Sequence, residues 1–360
     1  MPEPAAADPV ANAPIPSSAG STGVLELAAQ LSDTLLFPAA LAVDQATAVP
    51  VSHLDALAAA GLYGLAGPLD YGGLGLEAEE SLAVIERLAS GCLTTTFVWL
   101  QHHASVRAVS LAGGSIAEEW LRPLCSGERR AGVAFAGLRR PGPPLITAER
   151  TRQGWALTGT APWVTGWSRI GVMLVAARVP AMPDVPVLWL LVDAVERQGV
   201  SAERLRLEAV DASVTVRVTF DGAFVDDDRV VGLEPFASWQ ERDAGGLRAN
   251  GSLSLGLALR CARLLGGTAG RAAEDLVAER RNQLDRSDSG ALPRARAKAA
   301  ELALATATSL VIETGGRAVL LESVAQLLAR QAIFLLVFGQ TPAIKSEQLR
   351  LRAGWGAVGC

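Results

Sequence analysis

Few stretches of this chain carry side chains that could move a proton. Two of its three histidines are adjacent, in Gln101-His102-His103, inside the apolar run Thr94 to Leu111. An imidazole titrates near neutrality, so such a pair is either an acid/base or a hydrogen-bonded part of a helix interface. Trp239-Gln-Glu-Arg-Asp-Ala244 holds two acids, Glu241 and Asp243, ahead of a long helical pattern. A one-turn shift could bring Glu241 into a site as a base; otherwise it is a solvated loop acid. A third stretch, Arg330 to Lys345, reads as an apolar helix end opening into Gly339-Gln-Thr-Pro342. Gly339 frees the backbone and Pro342 cannot continue the helix. No acid, base or nucleophile stands between Gly339 and Ile344. The four cysteines, Cys92, Cys125, Cys261 and Cys360, form no CxxC pair, and they read as buried or incidental thiols of a reducing compartment. With no third ligand at suitable spacing beside the histidines, no metal site is expected.

Residues of these kinds need a scaffold, and the chain is long enough to build one. Its 360 residues, 50% hydrophobic and 19% charged, suffice for two or three domains with their own cores. The net charge of −5 argues against a nucleic-acid binder that relies on phosphate neutralisation. Residues 1–22 are rich in Pro, Ala and Ser, have no basic start and no apolar h-region, and are expected to form a disordered leader. No uninterrupted apolar run approaches the ~18–20 residues of a membrane span, so a cytoplasmic protein without a membrane segment is expected.

The texture changes twice along the chain. Residues 23–126 carry helical apolar spacing at Leu27, Leu31 and Leu35, then at His53 to Leu62 and Glu77 to Ser90. A glycine loop, Asp70-Tyr-Gly-Gly-Leu-Gly75, interrupts them. Residues 127–235 hold short alternating or β-branched runs, among them Trp155 with Leu157, Val187 to Val192, and Val214 to Phe220. Alternation places Val214, Val216, Val218 and Phe220 on one face. Residues 236–360 return to helical spacing. One long pattern covers Leu253 to Arg281, a second follows Pro293, and Gly315-Gly316 separates that from Ala318 to Phe338.

The order of these textures, together with four motifs, resembles the acyl-CoA dehydrogenase family over nearly the whole chain. The motifs are Tyr71-Gly-Gly-Leu-Gly75; Gly154-Trp-Ala-Leu-Thr-Gly-Thr-Ala-Pro-Trp-Val-Thr165; Val218-Thr-Phe-Asp-Gly-Ala-Phe-Val225; and Gly315-Gly316. The resemblance implies an α+β multidomain protein with a helical N-terminal domain, a central β-barrel domain and a C-terminal four-helix bundle. It also implies FAD, an acyl-CoA or other acyl thioester as substrate, an electron-transfer partner or oxygen, and assembly as a homo-oligomer or with a homologous subunit. Position by position, it places Trp163 and Thr165 against the flavin ring, Phe135 and Gly137 as backbone contacts, and Thr341 near the flavin. It places Arg281, Gly315 and Gly316 near the FAD diphosphate. The family's first β-domain motif is eroded here to Gly137-Leu-Arg-Arg-Pro-Gly-Pro-Pro144.

The family's reaction, α,β-dehydrogenation of an acyl thioester, uses a carboxylate to take the α-proton. Counting forward from Arg330-Gln-Ala332 puts that base at Gly339, with Gln340 beside it unable to accept a proton. The family's other base position falls near Gly246-Leu247, again without an acid. Three readings follow. In the first, the chain is a dehydrogenase drawing its base from elsewhere, with Glu241 as the candidate. In the second, it is a flavin monooxygenase or oxidase on the same scaffold, with His102 or His103 as acid/base. In the third, it is a non-catalytic or half-site subunit of a hetero-oligomer.

Overall fold

The computed structural model describes residues 21–353; the expected leader, apart from its last two residues, and Cys360 lie outside them. The last two leader residues open the first helix. The N-terminal region comprises α1 (Ser21–Leu31), α2 (Ala40–Gln45), α3 (Val51–Ala59), α4 (Ala78–Gly91), α5 (Leu93–Ala112) and α6 (Gly114–Ser126). Helix α4 starts at a capping box, in which the Glu80 carboxylate accepts the Glu77 N–H at 2.9 Å. The glycine loop holds Gly72 in the left-handed region, and a β-carbon on Gly73 would stand 1.8 Å from the Gly67 carbonyl oxygen.

Eight strands follow: β1 (Ala131–Ala134), β2 (Ile146–Arg150), β3 (Gly154–Val164), β4 (Val172–Arg178), β5 (Val187–Asp193), β6 (Val200–Arg204), β7 (Val216–Asp226) and β8 (Val230–Glu234). They form one sheet in the order β6-β7-β3-β2-β4-β5-β8, with β1 pairing β4 in parallel. The sheet is open, and this corrects the expected barrel. β6 and β8 are its two edges, and the charged Glu203 and Arg204 on β6 suit an edge that takes no further strand. Val216, Val218 and Phe220 share the buried face as the alternation predicts, whereas Val214 precedes the strand with φ of 47°.

The C-terminal region comprises α7 (Phe236–Leu265), α8 (Gly267–Asp285), α9 (Leu292–Thr314), α10 (Val324–Val337) and α11 (Pro342–Ala353). The single pattern expected from Leu253 to Arg281 is two helices. Gly266 and Gly267 both have positive φ and break it. Helix α11 packs on α9, adding a fifth helix to the expected four. Gly256 lets α7 approach α4 closely: a β-carbon there would meet the Glu86 carbonyl oxygen at 2.4 Å. One apolar core runs through both helical regions, from Val24 to Ile344, and takes in Val210 and Ala212 of the β region; a second fills the sheet. Among the described residues, no helix is long and apolar enough to cross a membrane.

Candidate functional site

Strand β1 leads into Phe135, where φ −128° and ψ 5° turn the chain into a short 3-10 helix, Ala136–Arg139. Pro141, Pro143 and Pro144 follow, and they have no N–H to offer a strand. This segment forms one wall of a cleft of about 430 Å³. The first turns of α7, with Phe236, Trp239 and Asp243, form the opposite wall. Arg178 and the start of α11, with Thr341, complete it. Three of the expected cofactor contacts, Phe135, Gly137 and Thr341, therefore meet in one place.

The two walls are bridged. Arg139 gives a two-pronged ion pair to Asp243, Nε to Oδ2 at 2.7 Å and Nη2 to Oδ1 at 2.6 Å. Both side chains are mostly buried, which strengthens the pairing. The Phe236 and Trp239 rings stack with centroids 5.4 Å apart, and Arg178 lies 4.0 Å over Phe236. Asp243 is the sole carboxylate lining the cleft among the described residues. Glu241 does not line it and is exposed.

Neither position expected from the resemblance to hold a base carries an acid. Gly339 has φ of 61°, and a β-carbon there would stand 2.6 Å from Asn250 Nδ2. The preceding carbonyl, of Phe338, accepts from Arg296 Nη2 at 3.3 Å. Arg296 is buried, and burial, reinforced by Arg248, depresses its guanidinium to about 10. The negative end of α10 at that carbonyl suits a buried cation. Gln340 donates to the Leu336 carbonyl and to Gln348 Oε1. At the other position, Leu247 is buried among apolar neighbours.

The histidine pair lies between α5, α6 and β1, outside the cleft. His102 Nε2 donates to the Leu124 carbonyl at 3.1 Å, and Nδ1 accepts the Ala131 N–H at 3.0 Å. Those bonds define the neutral tautomer, and burial depresses its pKa to about 3. His103 is edge-on to Trp99 with centroids 4.4 Å apart; burial, then the neighbouring His102, lowers its pKa. Neither imidazole faces the cleft, so the sequence expectation of an acid/base there has no geometric support.

The remaining expected contacts are dispersed. Trp163 sits at a β-bulge of β3, where the register shifts between Ala161 and Val164, and its indole is 52% exposed. Thr165 is buried in a chain of three hydroxyls, 3.2 Å from that of Thr215, which is 2.9 Å from that of Ser213. Its carbonyl oxygen would be 3.2 Å from a β-carbon on Gly132, which places Thr165 beside β1. An open aromatic face and a buried hydroxyl donor near the strand that leads to Phe135 fit a planar cofactor with a polar edge. Arg281 is committed within the chain: its Nε donates to the buried Glu86 at 2.8 Å. Arg248 links the same Glu86 to Asp285. Burial raises the Glu86 pKa against the pull of Arg281 and then Arg248. Gly315 and Gly316 end α9 in open space, with exposed Ile312, Val319 and Leu321 around them. Arg139 as the partner of Asp243 was not foreseen. The sequence signal for Asp243 was its spacing of four before Leu247, which places both on one face of α7.

Known proteins share this architecture. Residues 22–128 match the family model described as acyl-CoA dehydrogenase, N-terminal domain. Benzylmalonyl-CoA dehydrogenase of Aromatoleum aromaticum is 28% identical over 206 residues, 55% of this chain and 54% of that protein. The chain spans about half the length of the curated relatives it matches. Butyryl-CoA dehydrogenase from Megasphaera elsdenii superposes with a TM-score of 0.77 at 17% identity, covering 95% of this chain and 98% of that one. PigA, solved with FAD and proline, superposes with a TM-score of 0.78 at 18% identity, covering 94% and 98%.

Proposed function

We propose that this chain, which carries the N-terminal domain and the fold of the acyl-CoA dehydrogenases, is an FAD-dependent oxidoreductase acting on an acyl thioester. The observation that carries the reading is the cleft where Phe135, Gly137 and Thr341 meet between the sheet and the C-terminal helices. The indole of Trp163 and the hydroxyl of Thr165 would hold the flavin ring, with backbone groups at Phe135 and Gly137 beside it. Bound FAD supplies an acceptor for two electrons, which pass on to an electron-transfer partner or oxygen. The chain's own part is to bind the thioester, exclude water and take the α-proton. That PigA was solved with FAD, and that the curated relative is a CoA-thioester dehydrogenase, supports both cofactor and substrate class.

Ile312, Val319 and Leu321 are 75%, 80% and 76% exposed. They suit a face covered by another subunit, either a second copy or a homologue. Such a subunit would bring a diphosphate toward Gly315-Gly316 and toward the part of Arg281 that Glu86 leaves exposed.

A half-site subunit is the second reading, favoured by the absence of an acid at both Gly339 and Leu247. The burial of His102 and His103 removes the support for the monooxygenase reading that rested on them. Anaerobic titration of the FAD-loaded protein with a panel of acyl-CoAs separates the rest. Bleaching of the flavin supports the dehydrogenase. Bound FAD without bleaching by any thioester overturns it, and co-purification with an active homologue then supports the half-site subunit.

A further inference from the structure

We infer that Asp243 is the proton acceptor of this site, held by Arg139 until a ligand enters. The inference rests on the acyl-thioester reading and adds the residue that the reading leaves open. Four observations converge on it. Asp243 is the sole carboxylate lining the cleft among the described residues, and no histidine lines it. It lies on α7, one turn before Leu247, the position near which the resemblance expects a base. Both of its oxygens are held by a single guanidinium, at 2.7 and 2.6 Å. That guanidinium comes from the opposite wall and lies 3.8 Å from where Gly246 would carry a β-carbon.

Gly246 thus leaves room for the Arg139 head directly over the helix. An alanine at 246 would meet Arg139 at ordinary van der Waals distance, so only a bulkier side chain would reach the space through which Arg139 approaches Asp243. A thioester carbonyl, or an anionic group of its carrier, offers Arg139 a competing acceptor in the same cleft. Once Arg139 turns to it, the Asp243 carboxylate faces the ligand unpaired. The step is then a simple proton transfer: the Cα–H bond breaks and an O–H bond forms on Asp243. The electron pair stays on the substrate, delocalised onto the thioester carbonyl oxygen. Arg139 is a positioning residue, first for Asp243 and then for that oxygen.

The test reads proton transfer directly, by deuterium incorporation at Cα of an acyl-CoA incubated with FAD-loaded full-length protein in D₂O without oxygen. Asp243→Asn should lower the exchange rate by on the order of 10²–10⁴, the usual contribution of a general base, while FAD content and acyl-CoA affinity stay near those of the natural chain. Asp243→Glu should restore part of the rate. Arg139→Gln should raise KM more than it lowers kcat, whereas a purely structural role would lower FAD content and melting temperature instead. Exchange that persists in Asp243→Asn, or falls with Glu241→Gln in its place, overturns the assignment and leaves the function standing. A natural chain that neither exchanges nor bleaches with any thioester overturns both.

Discussion

Asn250 Nδ2 stands 2.6 Å from the point where Gly339 would carry a β-carbon. Helix α7 and the segment just past the end of α10 therefore meet at the position expected for a base, where a side chain would require the Asn250 amide to move. The left-handed φ of Gly339 adds a second obstacle. An L-residue there costs about 1–2 kcal/mol before any contact is counted.

Gly339→Glu should for that reason destabilise the fold by roughly 1–3 kcal/mol and should not create a working base. Chemical denaturation gives the first number, and anaerobic bleaching by acyl-CoA gives the second. Adding Asn250→Gly should recover only the contact part of the loss, because the strained φ remains. A Gly339→Glu chain as stable as the natural one would show that the loop relaxes more freely than its packing indicates.

Arg281→Gln should cost about 3 kcal/mol, the lower end for removing one partner of a buried ion pair. Glu86 is buried, and it would be left facing Arg248 at 3.8 Å with its nearest donor gone. The double change Glu86→Gln with Arg281→Gln should recover much of the loss, since no carboxylate is then left without its donor. A loss of FAD affinity in Arg281→Gln without loss of stability would place this arginine at a diphosphate first and at Glu86 second.

Acid should weaken the fold through His102. Its folded pKa, about 3, lies below the ordinary 6.5. The unfolded chain therefore binds a proton that the folded chain refuses in that interval. The stabilising effect is fully present above pH 6.5 and is lost as pH falls toward 3, by at most roughly 1.4 kcal/mol per pH unit. His102→Gln can keep a donor for the Leu124 carbonyl and an acceptor for the Ala131 N–H. The stability gap between the natural chain and His102→Gln should shrink steadily as the buffer is taken from pH 7 to about pH 4. A constant gap would mean that His102 is charged inside the fold.

Trp163→Ala should weaken FAD binding about tenfold, or ~1.4 kcal/mol, with little change in melting temperature. The indole is 52% exposed, so its removal opens no cavity. Fluorescence titration of the flavin-free protein measures the first quantity and thermal unfolding the second. Undiminished FAD affinity would remove Trp163 from the proposed flavin contacts.

Much of this fold was legible because the hydrophobic period changes where the architecture changes. The alternation at Val216, Val218 and Phe220 and the helical spacing of α4 and α5 each report a buried face, which is a local property. The open sheet was not legible, since closure depends on whether β6 meets β8, and no residue in either strand encodes its distant partner. The break at Gly266 was not legible either, because glycine permits a positive φ without requiring it. Phe135, Gly137 and Thr341, expected by position to be cofactor contacts, do line one cleft. The Arg139–Asp243 pair was missed because its members are 104 residues apart and meet only when the eroded loop folds onto α7.

The shared core of the two helical regions has a further consequence. Viewed along the chain, the sheet of residues 127–235 is an insertion that interrupts a single helical body. Residues 23–126 produced alone would leave Leu88, Leu93 and Phe97 bare of their partners on α7 and α10. That fragment and its C-terminal counterpart should aggregate when made separately. Co-expressed, with the cut placed inside the inserted segment, they should assemble into one soluble species, and size-exclusion chromatography of the two preparations reads the difference. A fragment 23–126 that stays soluble and monomeric by itself would mean that the break in sequence is also a break in the folding unit.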